Sequence, residues 1–175
     1  MLTGQQEKKL TTKQGIEYFG FKYFADWQQK EHHTAFDFER FGDSPEPDIL
    51  AVRNGHNIGV EVATLYSSDY DAARLLGRID DEDFKDELQK ETMIPLERVY
   101  PRLTNLIAGK QEKEYSVSLL WLVIRNAFPL FAKQDFLCVA DSYDRGQFQE
   151  IWLVCDRSGS SGILRLDGNG CTRPG

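Results

Sequence analysis

Two carboxylates, Asp48 and Glu61, lie on either side of the strongest turn signal in this 175-residue sequence. Between them, Asn54-Gly55 separates two short apolar segments, which predicts a β-hairpin with a two-residue turn. Pairing outward from that turn places Asp48 directly opposite Glu61, where like charges repel. A longer loop at 54–57 shifts Asp48 to a diagonal position on the same face. Either arrangement indicates a shared divalent cation, because hard cations are bound by oxygen ligands.

The residues around this hairpin resemble the motif of the PD-(D/E)XK nuclease superfamily. Pro47-Asp48 is followed, after twelve residues, by Glu61-Val62-Ala63, and the family pattern has a lysine at the position of Ala63. The resemblance implies the restriction-endonuclease-like fold and a site for Mg²⁺ or Mn²⁺. In that site the carboxylates of Asp48 and Glu61 and the backbone carbonyl of Val62 bind the ion.

The missing motif lysine requires a replacement from elsewhere in the chain. Ala63 lies on the same face as Glu61, because side chains two apart in a strand point the same way. Its small side chain leaves space for a long cation from a neighbouring helix, as the resemblance to members with a relocated lysine implies. The predicted helix 95–114 carries Lys110 on its apolar stripe, so Lys110 is the first candidate and Lys113 the second. The alternative for Lys110 is a side chain that extends along the helix to solvent.

The first predicted helix offers a further acidic residue. Apolar residues recur at helical spacing over 5–31, with a start near Thr11-Thr12. Glu17 borders this stripe, and the resemblance implies that such a residue joins the metal site. The alternative is an ordinary solvated glutamate.

The hairpin carboxylates also have interpretations that require no metal. Asp48 can simply begin a strand after Pro47. Glu61 can form an ion pair with Arg53, Arg125 or another cation.

Hydrophobic periodicity predicts an α/β protein with the element order αβββαβ, the order of the restriction-endonuclease-like core, in which helices flank a mixed central sheet. The chain is expected to form one domain over residues 1–175, with an acidic helical excursion at 67–92 and a loose tail at 167–175. The other predicted elements are a strand at 34–41, a central strand at 115–126, a short helix at 129–139, a strand at 148–156 and an edge strand at 163–166.

Composition limits the function classes. The net charge of −7 argues against broad non-specific binding to nucleic acid, although residues 80–91 hold seven acids and two lysines and therefore carry most of the excess. No apolar run is long enough to cross a membrane, and the first residues lack a signal-peptide pattern, so a cytoplasmic location is expected. The three cysteines lack zinc-ligand spacing; Cys138 and Cys155 are expected in the core.

The resemblance implies a metal-dependent nuclease that hydrolyses phosphodiester bonds in DNA and, like many such nucleases, forms a homodimer to cut two strands. Ala63 and the acidic charge favour an alternative, a catalytically degenerate nuclease-fold domain that binds nucleic acid or a protein partner. A third interpretation is an unrelated α/β domain whose hairpin carboxylates are coincidental.

Overall fold

The computed structural model describes residues 1–66, 96–128 and 131–168, without the side chain of Glu97. The predicted excursion at 67–92 lies outside these residues. Within the described ranges, no helix is both long and apolar enough to cross a membrane.

Two helices precede the first strand, where the sequence predicts one helix over 5–31. They are α1, Gly4–Glu7, and α2, Thr12–His32. The start of α2 is set by Thr11, whose Oγ1 accepts a hydrogen bond from the Gln14 amide at 3.2 Å. The Gln14 side chain accepts from the Thr11 amide in return, which completes a capping box.

Six strands among the described residues form one mixed sheet in the order β1-β2-β3-β4-β5-β6. β1 and β2, β2 and β3, and β5 and β6 pair antiparallel, whereas β3 and β4, and β4 and β5, pair parallel. The helix α3, Leu96–Gln111, lies between β3 and β4 in the chain. The strands are β1 (Phe36–Phe41), β2 (Ile49–Arg53), β3 (His56–Leu65), β4 (Leu120–Asn126), β5 (Glu150–Val154) and β6 (Ile163–Arg165).

One helix packs on each face of this sheet. Phe24 of α2 is fully buried and contacts Trp121 and Trp152 on one face. On the other face, Leu103 and Ile107 of α3 pack in the cluster that contains the alternate residues of β3 and β4. The predicted mixed α/β architecture is therefore confirmed, with β4 covered on both sides.

The central strand is shorter than predicted. The apolar run at 115–126 becomes a strand only from Leu120, which pairs with Gly59 of β3. Upstream, the Ser116 amide donates to the Pro45 carbonyl at 3.2 Å, so this backbone is hydrogen-bonded to the loop before β2 instead of to a strand.

The helix α3 runs continuously through Pro101, although a proline inside a helix predicts an interruption there. Proline removes one helical hydrogen bond, and the buried contacts of Leu103 and Ile107 offset that cost.

Three predictions for the C-terminal part are also corrected. The predicted helix at 129–139 is a 3₁₀ helix, Lys133–Val139. In the predicted loose tail at 167–175, Asp167 is buried and paired with Arg145 and Arg165, and residues 169–175 lie outside the described residues. Cys138 is exposed, whereas Cys155 is buried.

Candidate functional site

The predicted hairpin register is confirmed. Asn54 and Gly55 have φ values of 50° and 81°, the left-handed conformations that a type I′ turn requires. The antiparallel ladder extends from the turn to Ile49, which lies opposite Val60. Asp48 immediately precedes β2, and β3 continues beyond this point without its antiparallel partner. The edge of β3 that faced β2 is therefore free of pairing with any described strand from Glu61 onward.

Asp48 and Glu61 meet at that edge of β3. The Asp48 amide donates to Glu61 Oε2 at 3.3 Å, and the Val62 amide donates to Asp48 Oδ2 at 3.0 Å. The Gly59 amide bonds to the β4 side, so by strand alternation the amide and carbonyl of Val62 face the opposite side, where β2 has ended. The two carboxylates and the Val62 carbonyl therefore lie at one edge.

Two lysines contact Glu61: Lys110 in the last turn of α3, and Lys113, which lies two residues beyond the end of that helix. Lys110 Nζ lies 2.5 Å from Glu61 Oε1, and Lys113 Nζ lies 3.4 Å from the same oxygen. The Lys110 side chain is 17% exposed, so it does not extend into solvent. Ala63 is buried beside Glu61 and lines the same cleft as Lys110, which accords with the space expected at this position.

Glu17 approaches the carboxylate pair from α2 and is buried. Lys13, one turn earlier, lies 3.1 Å from Glu17 Oε1 and 3.8 Å from Asp48 Oδ1. Sequence reasoning missed Lys13, although its spacing of four residues before Glu17 on one helix is the pattern of a helical ion pair.

The three acids titrate differently because their surroundings differ. Burial and, secondarily, the Asp48 charge raise the pKa of Glu17 to about 7. Burial and the Glu61 charge raise the pKa of Asp48. Burial also opposes ionisation of Glu61, but the Lys110 ammonium outweighs it and holds the pKa of Glu61 below its ordinary value. Lys110 thus compensates the charge of Glu61, whereas the Lys13 ammonium beside Glu17 and Asp48 does not offset the effects of burial and neighbouring negative charge on these two acids.

A cleft of about 260 Å³ lies between the helices at this edge of the sheet. Its lining includes Lys13, Glu17, Asp48, Val62, Lys110 and Lys113. Three lysines and two acids therefore line one concave surface, which suits a phosphate group next to a carboxylate-bound cation.

Tyr115, also missed by the sequence reasoning, lies at the base of this group. Its hydroxyl is buried and, in the part of the chain that the structure describes, makes no hydrogen bond of acceptable geometry. Burial and the neighbouring Glu61 carboxylate raise the pKa of the phenol.

The donor set at the open edge fits Mg²⁺ or Mn²⁺. These ions take oxygen ligands, and Mg²⁺ sites often use one or two carboxylates with water and substrate phosphate completing the shell. Asp48, Glu61 and the Val62 carbonyl supply such oxygens. Within residues 1–66, 96–128 and 131–168, no group of three or more His, Cys, Asp or Glu side chains has a metal-binding arrangement, so Glu17 is not part of a ready three-acid cage.

No protein-family model matches the sequence, and no curated protein and no solved structure matches the chain. The function is therefore argued from the fold and the geometry of this cluster.

Proposed function

We propose that this protein is a metal-dependent nuclease that hydrolyses phosphodiester bonds in DNA at a PD-(D/E)XK-type site. The observation that carries the proposal is the 2.5 Å contact between Lys110 Nζ and Glu61 Oε1, beside Ala63. This contact brings the Lys110 ammonium from α3 to Glu61, the acid of the motif. Lys110 can therefore take the role of the motif lysine, whose position is occupied by Ala63. An ion pair formed by chance would not explain why Asp48 also lies at this edge of the sheet, beside Glu61.

The architecture supports the same proposal. The order α2, β1, β2, β3, α3 and β4 is the αβββαβ succession expected of a restriction-endonuclease-like core. The antiparallel hairpin followed by a parallel central pair also suits that core. We propose this fold assignment on the topology and the position of the site together.

Each residue has a distinct role in the proposed reaction. Asp48, Glu61 and the Val62 carbonyl hold Mg²⁺ or Mn²⁺, and Glu17 approaches from α2. When bound, such an ion would polarise a phosphate oxygen and lower the pKa of a water molecule. Lys110 positions the attacking water by hydrogen bonding and stabilises the negative charge that develops on the phosphate, since a preorganised donor in a buried site is effective there.

The other two lysines that line the cleft, Lys13 and Lys113, favour substrate binding. The Lys113 side chain is 54% exposed and that of Lys13 is 73% exposed, so both can contact the DNA backbone at the mouth of the cleft. The net charge of −7 requires such local attraction. A homodimer that presents two such clefts would cut both strands.

One observation favours the alternative of a catalytically degenerate domain. Glu61 Oε1 already accepts hydrogen bonds from both Lys110 and Lys113. These ammonium groups compete with a metal ion for the carboxylate. A degenerate domain would bind nucleic acid or a protein partner without cleaving it.

Cleavage of supercoiled plasmid and of single-stranded DNA in Mg²⁺ or Mn²⁺ tests the proposal. We expect nicking by the wild type that is lost in Asp48→Asn. The matched control is Asp26→Asn, since Asp26 is an exposed α2 residue paired with Lys22. DNA binding without cleavage in either metal would favour the degenerate domain, and cleavage that survives Asp48→Asn would reject this site.

A further inference from the structure

A second cavity lies away from the candidate active site. It has a volume of about 290 Å³, and its walls include Arg53, His56, Trp121, Gln149 and Arg165. Trp121 belongs to the apolar cluster under α2, whereas Glu61 points to the α3 side of the sheet. His56 and Glu61 are separated along β3 by roughly 16 Å at the usual rise of a strand. The two concave sites therefore lie at different ends of β3.

Arginines dominate the charge of this cavity. Arg145 lies 2.7 Å from Asp167, and Arg165 lies 2.8 Å from Asp167 and 3.7 Å from Glu150. Two carboxylates thus offset two guanidinium groups. Among the described residues, the third guanidinium, that of Arg53, has no carboxylate partner and so adds a positive charge to the cavity.

Arg53 is held in place by rings rather than by acids. Its Cζ atom lies 4.6 Å from the ring centroid of Trp121 and 5.7 Å from that of Phe36. Its Nε is buried and has no hydrogen-bond partner in the described part of the chain. A buried donor without a partner is costly, and ring stacking occupies the face of a guanidinium while leaving its edge for hydrogen bonds.

We propose that this cavity binds a phosphate group, with the Arg53 guanidinium as its principal donor. Arginine recognises phosphate through two parallel N–H···O bonds, and here the two terminal nitrogens of Arg53 would donate them, because its Nε is inaccessible to solvent. Arg165, Gln149 and His56 place further nitrogen donors around the same space, which suits the several oxygens of a phosphate better than the two of a carboxylate. The proposal is independent of the nuclease function.

The phosphate can belong to a small metabolite or to the end of a nucleic acid, because both present the same group. Titrations with inorganic phosphate, AMP and a short oligonucleotide with or without a 5′-phosphate distinguish these sources. Preference for AMP identifies a small-molecule site, and preference for the phosphorylated oligonucleotide identifies a strand terminus. Either result supports the cavity as a phosphate site.

The decisive comparison uses calorimetry and the arginine Nε–H resonances in NMR spectra. In the wild type we expect saturable binding and a shift of the Nε–H signal that Arg53→Gln removes. Arg53→Gln should weaken binding by about tenfold or more. The matched control is Arg157→Gln, an exposed arginine outside the cavity, which should bind like the wild type.

Because Arg53 packs on two aromatic rings, Arg53→Gln could lose binding through misfolding. A second variant tests the cavity without changing that packing. Gln149 is exposed at the cavity, so Gln149→Glu adds a carboxylate there without disturbing the core. It should also weaken phosphate binding. Wild-type affinity in both variants, or a response that sodium chloride of equal ionic strength reproduces, would overturn the proposal.

Discussion

Replacing Lys110 with methionine removes the ammonium group nearest to Glu61 and keeps a long apolar stem. The Glu61 side chain is 3% exposed, so its charge loses the partner that compensates for burial. Breaking a buried pair costs about 3–5 kcal/mol when no cation remains. Lys113 remains at 3.4 Å, so we expect a loss of about 1–2 kcal/mol in the free energy of unfolding.

The effect of Lys110→Met on catalysis should be larger than its effect on folding. Loss of one preorganised donor to developing charge lowers kcat by about 10²–10³-fold. Metal binding should change in the opposite direction, with Mn²⁺ affinity rising by about tenfold, because a competing positive charge has left the carboxylates. If the ion pair were purely structural, Lys110→Met would not be expected to lower kcat and raise Mn²⁺ affinity at the same time.

Plasmid cleavage, Mn²⁺ titration calorimetry and urea unfolding measure the three quantities on the same preparation. For the unfolding measurement, Lys113→Met is the matched control, because that side chain is half exposed and should contribute less than about 1 kcal/mol. A folded Lys110→Met protein that cleaves at the wild-type rate would refute the role of this lysine. Weaker Mn²⁺ binding in the same variant would refute the electrostatic reasoning.

The acid dependence of stability supplies an internal check on the same variant. The pKa of Glu61 is lowered in the folded protein, so its ionised form contributes stability above the unfolded pKa. That contribution is lost as the pH falls through the folded pKa. Lys110→Met should therefore lose most of its stability deficit in acid, where Glu61 is protonated. A deficit that is equal at acidic and neutral pH would instead indicate lost packing.

Three further predictions concern the supports of the site. Because the pKa of Glu17 rises from 4.5 to about 7 on folding, stability should fall by about 3 kcal/mol as pH rises across that interval. Glu17→Gln should reduce this slope in urea unfolding, and an unchanged slope would assign it to another group. Gly59→Ala would bring a Cβ within 2.5 Å of the Pro47 ring, so we expect about 1–3 kcal/mol of destabilisation by thermal melting and reduced cleavage through displaced Asp48, whereas wild-type stability would show that the loop relaxes freely. Asn126→Ala should cost about 1–3 kcal/mol by urea unfolding, because the buried amide bonds the Cys155 carbonyl at 2.9 Å, and a neutral effect would contradict that reasoning.

Local chemistry determined the hairpin and therefore half of the candidate site. Asn54-Gly55 allows two successive left-handed residues, and strand alternation then sets which residues share a face. The opposition of Asp48 and Glu61 follows from that register alone. The helical spacing of Lys110 from Leu106 and Ile107 likewise predicts that Lys110 faces the sheet, although it does not identify the residue that Lys110 contacts.

Long-range packing determined which helix meets which carboxylate. Periodicity shows that Lys110 points inward, but only the docking of α3 on the sheet brings its ammonium group within 2.5 Å of Glu61. The same holds for Lys13 and Glu17, which reach Asp48 because α2 packs across the opposite face. No local signal encodes such an approach.

Tertiary contacts also decided where regular structure ends and where charge remains unpaired. The apolar run before Leu120 predicts a strand, yet pairing with β3 begins only at Leu120, and the Ser116 amide bonds to the loop before β2 instead. The Arg53 cavity depends on residues from five separate strands and the loops beside them. Hydrophobic pattern and turn chemistry act over a few residues, so the sequence alone determined the hairpin and the faces of its strands. Ion pairs and cavities depend on the positions of whole elements, so the assembled fold decided the lysine contacts, the start of β4 and the Arg53 cavity.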